Sequence, residues 1–507
     1  MNKGEIISSM GLKVGFIILV SFFMHNGCSK NIPVNDNASS SKDSVLFSDF
    51  DLKVNGQNVA VQTCRVSAMP FNQAYPGYQR PLEQTELAGF AYWDMKEPVK
   101  VEILSKRTVN SVKLRPASLG IQPTIKGNLI SFTLDSPHQI VIEVNGMHQA
   151  LHLFANPPEN NVPDPNASGV RYFAPGVHNI GRTKLQSNES VYIAPGAVVY
   201  GSFYAVGASN IRISGRGIID VGKLERGQGG GAISLSDCSN VTVEGIVMRD
   251  PDVWCCTLFG CSNVTISNVK LIGLWRYNSD GIDVCNSQEV VVQDCFIRSF
   301  DDALVVKGLS TNFGVPDLIQ TGGKPVSNVR FSRNVIWCDW GKAMEIGAET
   351  VSPEITGIVF ENCDVIRVLG IAMDIMNSDR AAIHDIRFEN IRLEIDDWNP
   401  TPRMQLKKDE KYQEDLQHSF CPMLIQAQVL KSIYSFDSQR GTMKNITFKD
   451  ISVTSSQFPL STFNGFDSEH RITDVIIQNL RFNSQVIQSS QQAGFTIGPY
   501  VNNIQFF

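Results

Sequence analysis

The chain has no Lys/Arg-rich arm and no basic stripe. Its formal net charge is −6, with 44 Lys+Arg against 50 Asp+Glu. Phosphate backbones are held by clustered cations, so nucleic acid is not indicated as a partner. There is a single long apolar run, Val14–Met24, too short to span a bilayer. Eleven cysteines are present, yet no pair of Cys or His stands at zinc-binding spacing from the one tight cluster, WCCTLFGC (Trp254–Cys261). Cys295 and Cys363 fall where other repeats carry Ile or Val, which makes them small core hydrophobes rather than a disulfide framework. No metal and no cofactor is called for. Helical periodicity is missing from the larger part of the chain, while 507 residues predict two or three domains.

The apolar run, preceded by Lys3 and Lys13 and followed by HNGCSK, reads as a signal-peptide h-region. Gly27 directly before Cys28 resembles a bacterial lipoprotein signal, in which the cysteine becomes the lipidated first residue. His25 stands where that signal usually carries a Leu-like residue, and ordinary signal-peptidase cleavage is the plainer alternative. On the lipoprotein reading, 1–28 is the signal up to Cys28 and 29–44 a flexible polar tether. The protein is then an exported outer-membrane lipoprotein of a Gram-negative-type cell that touches the membrane only through its anchor. The oligomeric state is not specified.

From residue 45 to 160 the sequence reads as short alternating strands, among them VKVEIL (Val99–Leu104) and NLISFTL (Asn128–Leu134). IVIEV-NG-MHQALHLF (Ile140–Phe154) predicts a hairpin with Asn145–Gly146 as a two-residue turn. A β-sandwich follows from this pattern. The Pro- and Asn-rich stretch Asn156–Gly169 marks the boundary. From residue 161 to 507 a unit of alternating apolar residues around one Asn or Asp recurs. NVTISNVKL from Asn263, EVVVQDCFI from Glu289, DIRFENIRL from Asp385 and DVIIQNLRF from Asp474 are clear copies. Each lap reads as strand, tight turn, strand. Asn268, Asp294, Asn362, Asn390, Asp450 and Asn479 would stack as a ladder at the turn, where Asn and Asp tolerate unusual backbone. The fold class is all-β: a right-handed parallel β-helix preceded by a small N-terminal β-sandwich. The insert Asp396–Pro422 breaks the period and is helix-leaning, a candidate wall for one end of a cleft.

Within the repeats, NSDGID (Asn278–Asp283) and FDD (Phe300–Asp302) lie about one lap apart. One lap advances the chain by one strand spacing, about 4.8 Å, so Asp280, Asp301 and Asp302 crowd on neighbouring rungs. Crowded carboxylates split their pKa values, one holding a proton while its neighbours stay ionised. Glycoside hydrolysis requires that division between acid and base. Asp residues are also common at β-helix turns, where Asp283 is a supporting residue. A calcium site is the rival use of such a cluster.

NSDGID, then FDDALVVKG, then GKAMEIGAE (Gly341–Glu349) resembles glycoside hydrolase family 28, the polygalacturonase-like enzymes, whose motifs run NTDGxD, DDxxxxKSG and GHGxxIGSE. The similarity covers roughly Arg171 to Ile391. The sandwich-plus-β-helix layout is similar to glycoside hydrolase family 49, the dextranase and isopullulanase group. The resemblance implies Asp301 as general acid, Asp280 and Asp302 as the pair that holds and deprotonates water, and inversion at the sugar. Inverting enzymes usually separate their carboxylates by about 6.5–9.5 Å, more than neighbouring rungs imply. Lys307 matches the family's KSG lysine, a sugar contact or else a salt bridge to Asp302. Lys342 replaces the GHG histidine and either brings a positive charge to the site or is a solvated surface lysine. The family's R-I-K cations, which grip galacturonate, fall on Ala372 and Asp374 in GIAMDI (Gly370–Ile375). A neutral α-linked polysaccharide or oligosaccharide is therefore favoured over polygalacturonan, with Arg380 the one cation that could rescue acid recognition. Trp254, Trp275 and Trp340 lie near the motifs, suited to sugar stacking or to plain packing. A pectic hydrolase, a polysaccharide lyase and a non-catalytic glycan-binding β-helix remain as alternatives.

Overall fold

The computed structural model describes residues 49–68, 79–310, 323–395 and 422–507, and the backbone of 403–404 and 413–414. Cys28, the signal, the tether and nearly all of the Asp396–Pro422 insert lie outside the described residues. Within that insert the backbone at Arg403–Met404 pairs antiparallel with Gln413–Glu414, a strand pair where the sequence leaned to helix.

Alternation builds the N-terminal layers. In Phe50–Val54, Phe50, Leu52 and Val54 turn inward while Asp51 and Lys53 face solvent. Two five-stranded sheets result, one holding Phe50–Val54 and Val99–Ser105, the other Thr85–Asp94, Gln139–Val144 and Leu151–Asn156. Their core includes Leu52, Val101, Ile103, Ile130, Ile142 and Leu153. The predicted hairpin forms, with Leu151 opposite Ile142. Its connection, however, runs from Asn145 to Ala150 rather than through two residues. Glu86 of the neighbouring strand accounts for the longer path, since its carboxylate pairs with His148 Nδ1 at 2.8 Å and accepts from the Gln149 N–H at 3.0 Å. Strands Gln139–Val144 and Leu151–Asn156 are buried on both faces, because the outer side of this sheet lies against the second domain.

That second unit is one 31-stranded sheet, wound as a right-handed parallel β-helix from Val170 to Phe506. A lap has three strands, for example Ser262–Ser267, Lys270–Ile272 and Ile282–Cys285. The repeat visible in the sequence covers only the first two. The third follows a loop of variable length and carries no fixed pattern. Asn268, Asp294, Asn362, Asn390, Asp450 and Asn479 all sit at φ between 51° and 57°, the left-handed turn expected of them. A further ladder runs along another corner, where Asn240 Nδ2 donates to Asn210 Oδ1 at 3.2 Å and Asn263 Nδ2 to Asn240 Oδ1 at 2.7 Å. Inside, Phe331, Phe360, Phe388 and Phe448 stack rung on rung with centroids 4.6, 4.9 and 5.0 Å apart. All nine described cysteines are free and buried, Cys295 and Cys363 fully so.

The sandwich docks on the middle face of the laps through Val66, Phe90, Val141 and Phe154 against Ile272, Phe296, Trp337 and Ile366. Arg115 rims the contact, bonded to Glu394 at 2.7 Å and Glu143 at 3.1 Å. The third strand of each lap forms the remaining face, whose flanking loops the sandwich reaches through Arg80. Phe388→Ala removes the centre of the aromatic stack and should cost about 3–5 kcal/mol, read as a lowered denaturation midpoint with the lap pattern in circular dichroism retained.

Candidate active site

The third face carries the acids, and strand register decides which of them meet. Ile282 lies opposite Leu304, and Leu304 opposite Met344. Two residues earlier on each strand, Asp280, Asp302 and Lys342 therefore stack across successive rungs. One residue after that core position, Asp283, Val305, Glu345, Asp374 and Gln426 form an outward ladder. Glycines permit the closeness. A Cβ on Gly281 would meet the Ala303 carbonyl at 2.3 Å, and one on Gly341 would meet Asp302 Oδ1 at 2.5 Å. The Gly281 N–H donates to the Asp302 carbonyl at 2.8 Å, locking the two loops together.

The sandwich props both loops. Arg80 donates to the Trp275 carbonyl at 2.8 Å, and its guanidinium lies 3.9 Å from the centre of Phe300, the residue before Asp301. Trp275 itself is buried, its indole N–H given to Asp250 at 2.8 Å, so it braces the wall. Trp340 stacks on Phe300 at 5.2 Å and is likewise a packing residue. Trp254 is half-buried beside the acids, stacked on Phe259, with Lys307 Nζ 5.1 Å from its ring centre.

The three aspartates are nearly enclosed, at 3 %, 8 % and 5 % exposure for Asp280, Asp301 and Asp302. Burial, followed by the charge of Asp302, pushes Asp301 up to about 7. Burial would also raise Asp302, but the Lys342 ammonium, the neighbouring Glu345 side chain and Lys307 outweigh it and bring this group down to about 2. Asp280 is held well above the usual carboxylate range by burial and by Asp283, Asp301 and Asp302. Asp280 and Asp301 are thus both biased toward the protonated form and Asp302 toward the ionised one, where crowding alone predicts a single proton. Asp283 lies fully buried in the floor, raised well above its usual value by burial.

Both lysines join the site. Lys342 lies 3.4 Å from Asp302 Oδ1 and 3.2 Å from Glu345 Oε1, and its N–H donates to Asp302 Oδ1 at 2.8 Å. Lys307 forms its salt bridge with Glu349 at 3.0 Å rather than with Asp302. The reason is local: the register shifts after Val306, and the extra residues on the facing strand swing Glu349 to the lysine. Arg380 is half-exposed and paired with Asp437 at 2.6 Å, so its charge is committed away from the acids. Asp374 is fully buried, accepts from Gln426 Nε2 at 3.2 Å and is raised to about 7, chiefly by burial.

Three groups escaped the sequence reading. Glu345 and Glu349 stood in the third motif without a role, and the placing of Glu345 three residues after Lys342 was the available signal. Tyr434 had none, being far along the chain in a loop that interrupts the repeat. It interacts electrostatically with Lys342, Asp301, Glu349 and Asp302. Asp379 holds that loop, accepting from the Phe436 and Asp437 N–H groups at 2.6 and 3.0 Å. Among the described residues no three His, Cys, Asp or Glu converge as a metal site.

Residues 212–400 match the model of glycosyl hydrolases family 28. A probable polygalacturonase of Arabidopsis thaliana is 31% identical over 85 residues, which cover 17% of this chain and 19% of that protein. Rhamnogalacturonase A of Aspergillus niger is 25% identical over 130 residues, 26% of this chain and 25% of that protein. The matches thus span a quarter or less of these relatives. Dex49A from Penicillium minioluteum superposes with a TM-score of 0.64 at 15% identity, covering 94% of this chain and 97% of that one. That likeness is one of fold, and its coverage takes in sandwich and β-helix together.

Removing one partner of a buried ion pair strands the other. Lys307→Met should lower stability by about 3–5 kcal/mol in urea denaturation at neutral pH, and Lys307→Met/Glu349→Gln should recover much of the loss.

Proposed function

We propose that this chain, which resembles glycoside hydrolase family 28 in its motifs and family 49 in its layout, is an inverting glycoside hydrolase acting on a neutral α-linked glycan. The observation that carries the reading is the enclosure of adjacent Asp301 and Asp302 with the Lys342 ammonium 3.4 Å from Asp302 alone, which sets Asp302 low and leaves Asp301 high. Cleavage needs a proton for the leaving oxygen and a base for water, and this pair holds one of each at neutral pH. Asp301 is the general acid. Asp302 is the base. Asp280, which keeps its own proton in the unliganded site, orients the water as Asp302 takes its proton. Trp254, half-buried with Lys307 over its ring, offers a face for a sugar, and Tyr434 interacts electrostatically with Asp301 and Asp302.

The substrate reading follows from where the cations are spent. Lys307 is paired with Glu349, Lys342 with Asp302 and Glu345, and Arg380 with Asp437. Asp374 adds an acid where the related enzymes place a cation. A uronate carboxylate in this cleft would meet acids already competing for two lysines. Hydroxyl-rich neutral sugars suit it better, since carboxyl groups both donate to and accept from them. Removal of a proton next to a uronate, as a lyase requires, is not served by Lys307 or Lys342, because both are held well above the usual lysine value by surrounding carboxylates despite burial.

The test is product release from neutral α-glucans, galactans, arabinans and pectic polymers, with Asp301→Asn in parallel. Saturated sugars should appear from a neutral polymer, and Asp301→Asn should lower kcat by about 10²–10⁴-fold. Because Asp301 must be protonated, wild-type kcat/KM should fall as pH rises through about 7. Cleavage of polygalacturonan at comparable rate would overturn the substrate assignment, and unsaturated products would overturn hydrolysis.

Export with a lipid anchor on Cys28 is part of the same proposal and rests on the HNGCSK stretch after Val14–Met24. Labelled palmitate should enter the wild-type protein and not Cys28→Ser; equal labelling of both would refute the anchor.

A further inference from the structure

Glu345 is fully buried on the outward ladder, and its surroundings leave little choice about its proton. Val305, its neighbour on the preceding strand, offers no donor. Asp374, its neighbour on the following strand, is itself an acid whose Oδ1 accepts from Gln426. On its own strand, Lys342 Nζ approaches Oε1 at 3.2 Å and is shared with Asp302 at 3.4 Å. Lys307 is bound to Glu349, and Asp283 lies in the floor one rung beyond Val305. Tyr434 interacts electrostatically with Lys342. Among the described residues, no donor apart from Lys342 serves either Glu345 oxygen. Glu345 Oε1 and Asp302 Oδ1 sit on the same ammonium, at 3.2 and 3.4 Å, which makes the two acids neighbours, and two carboxyl groups can bond only with a proton carried between them.

We propose that Glu345 is a positioning residue: as a neutral carboxylic acid it donates a hydrogen bond to Asp302, and together with the Lys342 ammonium it holds Asp302 ionised and aimed as the base. This inference rests on the hydrolase reading above. Lys342 and Glu345 form a two-part clamp on one carboxylate, one part supplying charge and the other a directed proton. Burial and the neighbouring Asp302 charge favour the protonated form of Glu345, consistent with that role. The clamp also accounts for a lysine being tolerated beside the acids, since its charge is shared by two carboxyl groups carrying one proton.

The experiment compares Glu345→Gln, which keeps a donor, with Glu345→Leu, which does not. Wild-type-minus-Glu345→Gln infrared spectra at pH 6 should show the loss of one protonated-carboxyl C=O band. In the pH profile of kcat/KM, the acid limb set by Asp302 should rise by roughly 1–3 units in Glu345→Leu and stay in place in Glu345→Gln. A residue that merely fills space would lower activity at every pH alike and leave the limb unmoved. Absence of the band change, or equal profiles for the two variants, overturns the proposal. So does a loss of activity in Glu345→Gln as deep as in Asp302→Asn, which would make Glu345 an ionised base. The infrared result needs no turnover, so failure to cleave any glycan would refute the hydrolase reading while the spectrum still decides where the proton resides.

Discussion

The ion contact between Lys342 and Asp302 is the interaction on which the rest of this site depends. Rungs of a parallel β-helix are about 4.8 Å apart, so acids placed at one register position on successive laps are forced together with no room to retreat. Burial alone would leave every one of them protonated and chemically alike. A single ammonium, touching Asp302 at 3.4 Å and tethered by its own backbone N–H at 2.8 Å, breaks that equivalence. Asp302 ionises, and its negative charge then raises Asp301 further. Lys342, with Glu345 and Lys307 behind it, thus produces both halves of an acid–base pair from adjacent residues.

The scaffold holds this arrangement from two sides. Below, the hydrophobic laps fix register, and Gly281 and Gly341 let backbone and carboxylate approach where a methyl group would collide. From the flank, the sandwich reaches around through Arg80 to the loop before Asp280 and to Phe300 before Asp301. The N-terminal domain is thus a structural part of the site, since its Arg80 touches both acid-bearing loops. Its two-faced burial at Gln139–Val144 and Leu151–Asn156 matches that role.

Much of the fold was legible because period-two alternation with one left-handed Asn or Asp per lap is hard to satisfy otherwise. Asn268 through Asn479 adopt the turn the pattern requires. The third strand of each lap was not legible, since it follows loops of changing length. The longer Asn145–Ala150 connection was hidden because Glu86, distant in sequence, captures its backbone. At the site, the stacking of Asp280 and Asp302 could be counted from lap length. Lys307's true partner could not, because a register shift after Val306 substitutes Glu349. Trp275 carried the composition of a sugar platform, yet its N–H is committed to Asp250 inside the wall. Tyr434 lies beyond any local pattern, brought in by a loop that Asp379 anchors.

Acid and base are separated in this site by the unequal protonation of neighbouring aspartates. The most direct test is a titration of ¹³C-carboxyl-labelled aspartate followed by NMR, with Asp301→Asn and Asp302→Asn used to assign the two resonances. Unequal protonation requires the Asp301 resonance to titrate near pH 7 and the Asp302 resonance to remain that of a carboxylate down to about pH 2. If both titrate together in the ordinary range of exposed carboxyl groups, the acid and base roles assigned to them are wrong.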